Sequence, residues 1–140
     1  MSILLDTNVL SEVRRPEPHR QVVDWLDRLD EDRAFISVVS LAEIRRGVAL
    51  MDAGRRRDAL AEWLALDLPD RFAGRILAVD EGVAFVWGDL MAEAKRRGHS
   101  LASMDGLLAA TALSRDLTLV TRNVRDFEHL GVRLFDPWAR

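Results

Sequence analysis

Short apolar runs alternate along the chain with longer segments in which apolar residues recur at helical spacing. The short runs predict five β-strands, at 2–5, 34–37, 75–79, 117–120 and 132–135. The longer segments predict helices, at 7–14 with Thr7 or Asn8 as the cap, 19–29, 40–48 starting at Ser40, 55–66, 81–97 closed by Gly98, 104–114 capped by Ser103, and 124–128. Residues 69–74 read as a loop.

This order of elements predicts the fold class. Strands that alternate with helices imply a mostly parallel sheet that is covered on both faces. The chain has 140 residues, 49% of them hydrophobic, which suits one sizeable core without a linker or repeat. We therefore predict one α/β domain over 1–140, a doubly wound, mostly parallel five-stranded sheet with helices on both faces.

Composition narrows the possible functions. A net charge of −3 argues against a surface that is wholly a nucleic-acid footprint, but not against an enzyme that meets phosphates through metal ions and local arginines. The absence of cysteine excludes disulfides, thiolate metal sites and cysteine nucleophiles. Only five residues precede Asp6, and no apolar run approaches the roughly 18 residues of a membrane span. We expect a soluble cytoplasmic protein that makes no contact with membranes.

Polar side chains stand where the predicted strands end or helices begin. Asp6 follows the first strand, and Glu43 lies in the first turn of the helix after the second strand. Asp105 begins the helix that leads into the fourth strand, and Asn123 follows that strand closely. Because active sites of open α/β sheets lie beyond the carboxyl ends of the strands, we expect these four residues to converge as catalytic residues.

Three carboxylates in one pocket require a cation, because like charges at close range favour protonation of one another. Mg²⁺ or Mn²⁺ suits such oxygen ligands, and either ion activates water and stabilises charge on a phosphoryl group. This chemistry favours hydrolysis of a phosphodiester. Taken singly, Glu43 and Asp105 have a structural alternative as helix caps or dipole partners, whereas Asp6 follows a buried strand.

Four stretches resemble, in order, the motifs of PIN-domain ribonucleases. They are 4–10 (LLDTNVL), 40–47 (SLAEIRRG), 105–112 (DGLLAATA), and 119–123 (LVTRN) with Asp126 and Phe127. The ending FDPW at 135–138 is typical of one toxin branch, the FitB-like proteins. One motif alone is weakly specific, but four in register are highly specific. The chain thus resembles the VapC-type toxins of type II toxin–antitoxin systems.

The resemblance implies a Mg²⁺- or Mn²⁺-dependent endoribonuclease that acts on RNA as a toxin. Asp6, Glu43 and Asp105 would be metal ligands, and Thr7, Asn8 and Thr121 would support the substrate or the ligands. The family also implies a homodimer and a cognate DNA-binding antitoxin that occludes the active site. Operator DNA would be contacted only through that antitoxin.

One position departs from the family pattern. Many relatives have aspartate at the fourth motif position, where this chain has Asn123, so tight binding of a second metal ion is in doubt. Asp126 is one substitute, but its position in the sequence favours a cap of the short helix at 124–128. We therefore expect one divalent ion in the free protein and a stronger second site in an Asn123→Asp variant.

Other classes of function fit less well. A phosphoryl-accepting receiver domain needs a lysine after a late strand, but the sole lysine, Lys95, lies inside a predicted helix. There is no Walker motif and no nucleophile elbow. His99 is interpreted as a solvent-exposed loop residue, and the arginines at 55–57 as a solvated helix start. A non-catalytic PIN-like protein that binds RNA or a partner, a DNA nuclease and an RNA-maturation enzyme stay open.

Overall fold

The computed structural model describes residues 1–139, which form five strands and eight α-helices. The strands are β1 (Ile3–Leu5), β2 (Ala34–Ser37), β3 (Ile76–Leu77), β4 (Thr118–Val120) and β5 (Leu134–Phe135). The helices are α1 (Thr7–Glu12), α2 (Arg20–Asp27), α3 (Val38–Leu50), α4 (Arg55–Glu62), α5 (Leu68–Arg71), α6 (Glu81–Arg96), α7 (Ser103–Ser114) and α8 (Val124–Phe127). A 3₁₀ turn at Glu31–Arg33 precedes β2, and a π-helical turn at Trp63–Asp67 joins α4 to α5.

The strands form one sheet in the order β3-β2-β1-β4-β5, and every neighbouring pair is parallel. The register places Leu5 of β1 opposite Val120 of β4. From the central β1 the chain moves outward through β2 and β3 and then returns to add β4 and β5 on the other side. The predicted fold class is confirmed, and the sheet is wholly rather than mostly parallel.

Successive strand residues face opposite sides of the sheet. On β1, Ile3 and Leu5 belong to one buried cluster while Leu4 belongs to the other. The first cluster includes residues of α1, α3 and α5, and the second includes residues of α7 and α8. Helices thus cover both faces, and burial of two apolar layers fixes the strand ends that carry the polar residues.

Several helix starts differ from the sequence predictions. The cap of α1 is Asp6 and not Thr7 or Asn8, because the Asp6 carboxylate accepts the Thr7 N–H. Helix α3 begins at Val38 and not at Ser40, because the side chain of Ser37 accepts the Val39 N–H at 3.0 Å. The N-cap of α7 is Ala102, whose side chain has no capping group, and Ser103 lies inside the helix.

Two other predictions also need correction. The predicted loop at 69–74 is in part α5, since proline is tolerated in the first turn of a helix, where its missing N–H has no partner to lose. The observed strands are also shorter than predicted at several ends, above all β3. Within residues 1–139, no helix combines the length and apolar character needed to cross a membrane.

Candidate active site

The site lies where the strand order reverses, between β1 and β4. Asp6 directly follows β1 and Thr121 directly follows β4. The Asp6 N–H donates to the Val120 carbonyl at 2.9 Å, which joins the two strands at their carboxyl ends. Such a reversal leaves a crevice beyond the sheet, where open α/β folds bind their ligands.

The Asp6 carboxylate is the buried centre of this crevice, with only 5% of the residue exposed. Oδ2 accepts a hydrogen bond from the Thr121 hydroxyl at 2.7 Å, and Oδ1 accepts the Thr7 N–H at 2.6 Å. The Asn8 amide lies 3.4 Å from Oδ2. These donors hold the carboxylate in one orientation, although they come from segments more than a hundred residues apart in sequence.

The environment of Asp6 disfavours its charge. The pKa of Asp6 is raised to about 6. Burial is the largest cause, the hydrogen bonds from Thr121 and Thr7 oppose it, and the nearby carboxylates of Asp105 and Glu43 add to it. A carboxylic acid that titrates this close to neutrality, in a crevice with two other acids, marks a candidate functional site.

Glu43 reaches the same crevice from α3. The Thr7 hydroxyl donates to Glu43 Oε1 at 2.6 Å and lies 2.9 Å from the hydroxyl of Ser40. Ser40 is fully buried and precedes Glu43 by three residues, so both lie on one face of the helix. This network connects the start of α1 to α3 and orients one oxygen of Glu43.

Asp105 approaches from the first turn of α7 and is partly buried. Burial raises its pKa above the ordinary value, and the carboxylates of Asp126 and Glu43 raise it further. Asp126 lies in the first turn of α8. Four acids from four helices or helix caps are therefore close enough to repel one another.

The two asparagines have different settings. The Asn8 amide contacts both Asp6 and Thr121, each at 3.4 Å, so it lies among the site's polar groups. Asn123 is exposed at the N-cap of α8, and its backbone N–H donates to the Thr121 hydroxyl at 3.0 Å. The fold thus brings the Asn123 backbone to the site, but its side chain makes no hydrogen bond with any of residues 1–139.

Comparison with known proteins assigns this arrangement to a family. A profile of the PIN domain matches residues 3–132. The chain belongs to the PIN-domain family. It is 43% identical to Toxin FitB of Neisseria gonorrhoeae over 97% of this chain and 98% of that protein. It is also 38% identical to VapC ribonuclease Y4jK of Sinorhizobium fredii, with 97% of each chain covered.

Solved structures agree with this assignment. The crystal structure of FitAcB from Neisseria gonorrhoeae contains a chain that matches this PIN domain with a TM-score of 0.93 and 43% identity, over 99% of both chains. The structure of FitAB bound to an IR36 DNA fragment matches with a TM-score of 0.92 and 41% identity, over 99% of this chain and 96% of the other. The resemblance to VapC- and FitB-type toxins is therefore confirmed.

The donor set of this PIN domain fits a hard divalent cation. Asp6, Glu43 and Asp105 offer carboxylate oxygens, and their mutual repulsion is what a cation would relieve. Within residues 1–139, no three acidic or histidine side chains already converge as a set of metal ligands. Glu43 and Asp105 are only partly buried, whereas Asp6 is buried.

Two predictions about site residues are wrong in their local structure. Glu43 lies in the second turn of α3 and not the first, because the helix begins two residues earlier than expected. Asp126 makes no capping hydrogen bond to α8, and its charge instead acts on Asp105. The sequence predicted Ser40 only as a helix start and not as a residue of the site. Its position three residues before Glu43 in the second motif could have indicated that both side chains lie on one face of the helix.

Another buried acid, Glu12, does not belong to this site. It is 3% exposed, accepts the His19 N–H at 2.7 Å and pairs with Arg15. These contacts tie the end of α1 to the start of α2. Burial of an acid is therefore insufficient by itself to identify a catalytic residue in this PIN domain.

Proposed function

We propose that this chain is a divalent-metal-dependent endoribonuclease and the toxin of a type II toxin–antitoxin pair. The observation that carries the proposal is the crevice at the strand reversal, where Asp6, Glu43 and Asp105 repel one another. The names of relatives support the reaction class, since they include VapC ribonuclease Y4jK and a tRNA(fMet)-specific endonuclease of Salmonella typhimurium that is 30% identical.

Asp6, Glu43 and Asp105 would hold Mg²⁺ or Mn²⁺, with Asp126 adding charge nearby. When bound, the ion lowers the pKa of water and neutralises charge on the scissile phosphate. The hydroxyl of Thr121 orients Asp6, and that of Thr7 orients Glu43, so each carboxylate presents a defined oxygen to the crevice. Burial of Asp6 reduces the water available to compete for that oxygen.

The partner we propose is a DNA-binding antitoxin. FitB has been solved together with FitA on DNA, and the acidic crevice suits a basic segment of such a partner, since arginine forms bidentate bonds with carboxylates. In this scheme the antitoxin blocks RNA from the crevice, and operator DNA is contacted only by the antitoxin. A homodimer belongs to the same proposal, and light scattering should give twice the chain mass of 15.8 kDa.

The direct test is RNA cleavage by Asp6→Asn and Asp105→Asn variants in Mn²⁺. Each should lose more than about 100-fold in rate, beyond the 10–100-fold typical of residues that only support a ligand. Asp89→Asn, on the exposed surface of α6, is the matched control and should cleave normally. Cleavage near the wild-type rate in both site variants would overturn the assignment, and binding of RNA without cleavage by the wild type would favour the non-catalytic alternative.

A cellular test addresses the toxin role. Expression of the wild type alone should slow bacterial growth, while Asp6→Asn at equal soluble level should not. Co-expression with a DNA-binding protein encoded by the adjacent gene should restore growth. Unimpeded growth in the presence of soluble wild-type protein would count against the toxin assignment.

A further inference from the structure

An exposed arginine, Arg122, is held in a defined place at the rim of the site. It follows Thr121 directly, and its backbone N–H lies 3.4 Å from the side-chain oxygen of Asn8. Its guanidinium carbon lies 5.3 Å from the centroid of the Trp138 ring. A cation–π contact restrains the guanidinium while leaving its edge in water.

The ring beneath Arg122 is itself fixed from several directions. Because β5 runs parallel to β4, the chain leaves β5 at the carboxyl-terminal ends of the strands, where the carboxylates also lie. The Trp138 N–H donates to Asp136 at 2.8 Å, and the Gln21 amide of α2 donates to the carbonyls of Pro137 and Ala139 at 3.1 Å each. The Trp138 ring packs against the apolar cluster on the α1 face. It is therefore a fixed platform.

Several other arginines form ion pairs with acidic side chains: Arg115 pairs with Asp80, and Arg133 pairs with Asp116. No carboxylate of residues 1–139 lies within ion-pair distance of Arg122. The N–H edge of its guanidinium, unlike its face, is thus available to an external anion. A guanidinium edge matches two phosphate oxygens, which a lysine ammonium does not.

We propose that Arg122, positioned by Trp138, binds a backbone phosphate of the RNA next to the one that is cleaved. The inference rests on the proposed function and specifies where the substrate strand runs. The acids of the crevice repel an RNA strand, and a metal ion offsets this only at the reacting phosphate. The neighbouring phosphate needs its own cation, and Arg122 stands one residue from Thr121, which binds Asp6.

The test compares Arg122→Ala with Arg133→Ala. The second variant also removes one arginine charge, but at the amino-terminal ends of the strands, away from the crevice. Both variants act on a short fluorescein-labelled single-stranded RNA in Mn²⁺, and KM and kcat are measured over a series of NaCl concentrations. Arg122→Ala should raise KM about tenfold, the effect of one charged hydrogen bond at an exposed site, with kcat nearly unchanged. Arg133→Ala should leave both constants near the wild-type values.

The salt dependence separates a phosphate contact from a structural role. Loss of one phosphate contact should reduce the slope of log KM against log salt concentration by about 0.7 for a single strand. Arg122→Lys should keep the wild-type slope but recover only part of KM. Trp138→Leu should raise KM without changing the slope, and Trp138→Phe should return KM to the wild-type value. Thermal unfolding of each variant checks that the variant is folded.

The outcomes distinguish this inference from the proposed function. If the wild type cleaves RNA and Arg122→Ala matches Arg133→Ala in KM and slope, the phosphate contact is overturned and the nuclease assignment stands. If Arg122→Ala lowers thermal stability alone, Arg122 serves only to hold the chain after β5, and the inference fails. If the wild type neither binds nor cleaves RNA, both proposals fail.

Discussion

At the residue scale, Asp6 carries the largest electrostatic cost in the site. It is buried, and its hydrogen bonds from Thr121 and Thr7 do not fully offset the burial and the nearby acids, so its pKa stands at about 6. Between pH 3.8 and about 6, the folded protein therefore keeps a proton on Asp6 that the unfolded chain, with a pKa of 3.8, releases. This difference makes the stability of the metal-free protein depend on pH.

The sign of that dependence yields a prediction. Because the pKa of Asp6 is raised in the folded protein, ionised Asp6 lowers the unfolding free energy. This loss is absent below pH 3.8 and develops as pH rises towards and past 6. Relative to Asp6→Asn, the metal-free wild type should lose roughly 2–3 kcal/mol of unfolding free energy over this window. Urea unfolding of both proteins in EDTA at the two ends of the window checks this. A constant difference between them across pH would show that Asp6 is not desolvated as described.

A second residue-scale prediction concerns positions 123 and 126. Asn123 supplies no charge, and Asp126 acts electrostatically on Asp105. Calorimetric titration of Mn²⁺ should show one bound ion in the free wild type and a strengthened second site in Asn123→Asp. In Asp126→Asn, the affinity for the first Mn²⁺ ion should be about tenfold weaker than in the wild type. Asp89→Asn should titrate like the wild type. Two equally tight sites in the wild type, or no gain in Asn123→Asp, would refute the role of position 123.

At the element scale, the packing of α6 against α7 positions Asp105. The Trp87 indole N–H donates to the Ser103 carbonyl at 3.1 Å, which fixes the first turn of α7 against α6. A Cβ atom added at Gly106 would lie 2.7 Å from Met91 Sδ and 3.0 Å from the Trp87 indole nitrogen. The residue after Asp105 is thus a glycine because the two helices approach closely there.

Gly106→Ala tests this packing. The added methyl group should push α7 from α6, with a cost of about 1–3 kcal/mol of unfolding free energy, and should slow RNA cleavage through Asp105. Gly88→Ala is the matched control within α6, where an added Cβ meets nothing within 4 Å. It should stabilise the helix by up to about 1 kcal/mol. Equal effects of the two substitutions in urea unfolding would contradict the close approach.

Sequence patterns were sufficient for the element order, because alternating apolar runs and helical spacings reflect burial on two faces of one sheet. They located Asp6, since a charge directly after a buried strand is unusual. They could not place the start of α3, because Val38 and Val39 suit a continuing strand as well as a helix. Nor could they relate Asp126 to Asp105, because this proximity depends on the packing of α8 beside α7.

At the scale of the whole molecule, metal binding and folding should be linked. If the folded chain alone brings the carboxylates together, a bound ion stabilises it by mass action, by about 2.7 kcal/mol at a concentration one hundred times its Kd. Mn²⁺ should therefore raise the Tm of the wild type, and EDTA should reverse the rise. Asp6→Asn should show little change on either addition. An equal rise in Tm for wild type and variant would place the ion elsewhere.

The reversal of strand order also determines when during synthesis the crevice can exist. The ribosome makes Asp6 first, and Thr121, its hydrogen-bond partner, comes 115 residues later. Until then β1 lacks its neighbour β4, and Asp105 has only just been added. A nascent chain that stops before Thr121 therefore contains no complete site. Translation must pass this point before Asp6 and Thr121 can form the hydrogen bond that joins the two strand ends of the crevice.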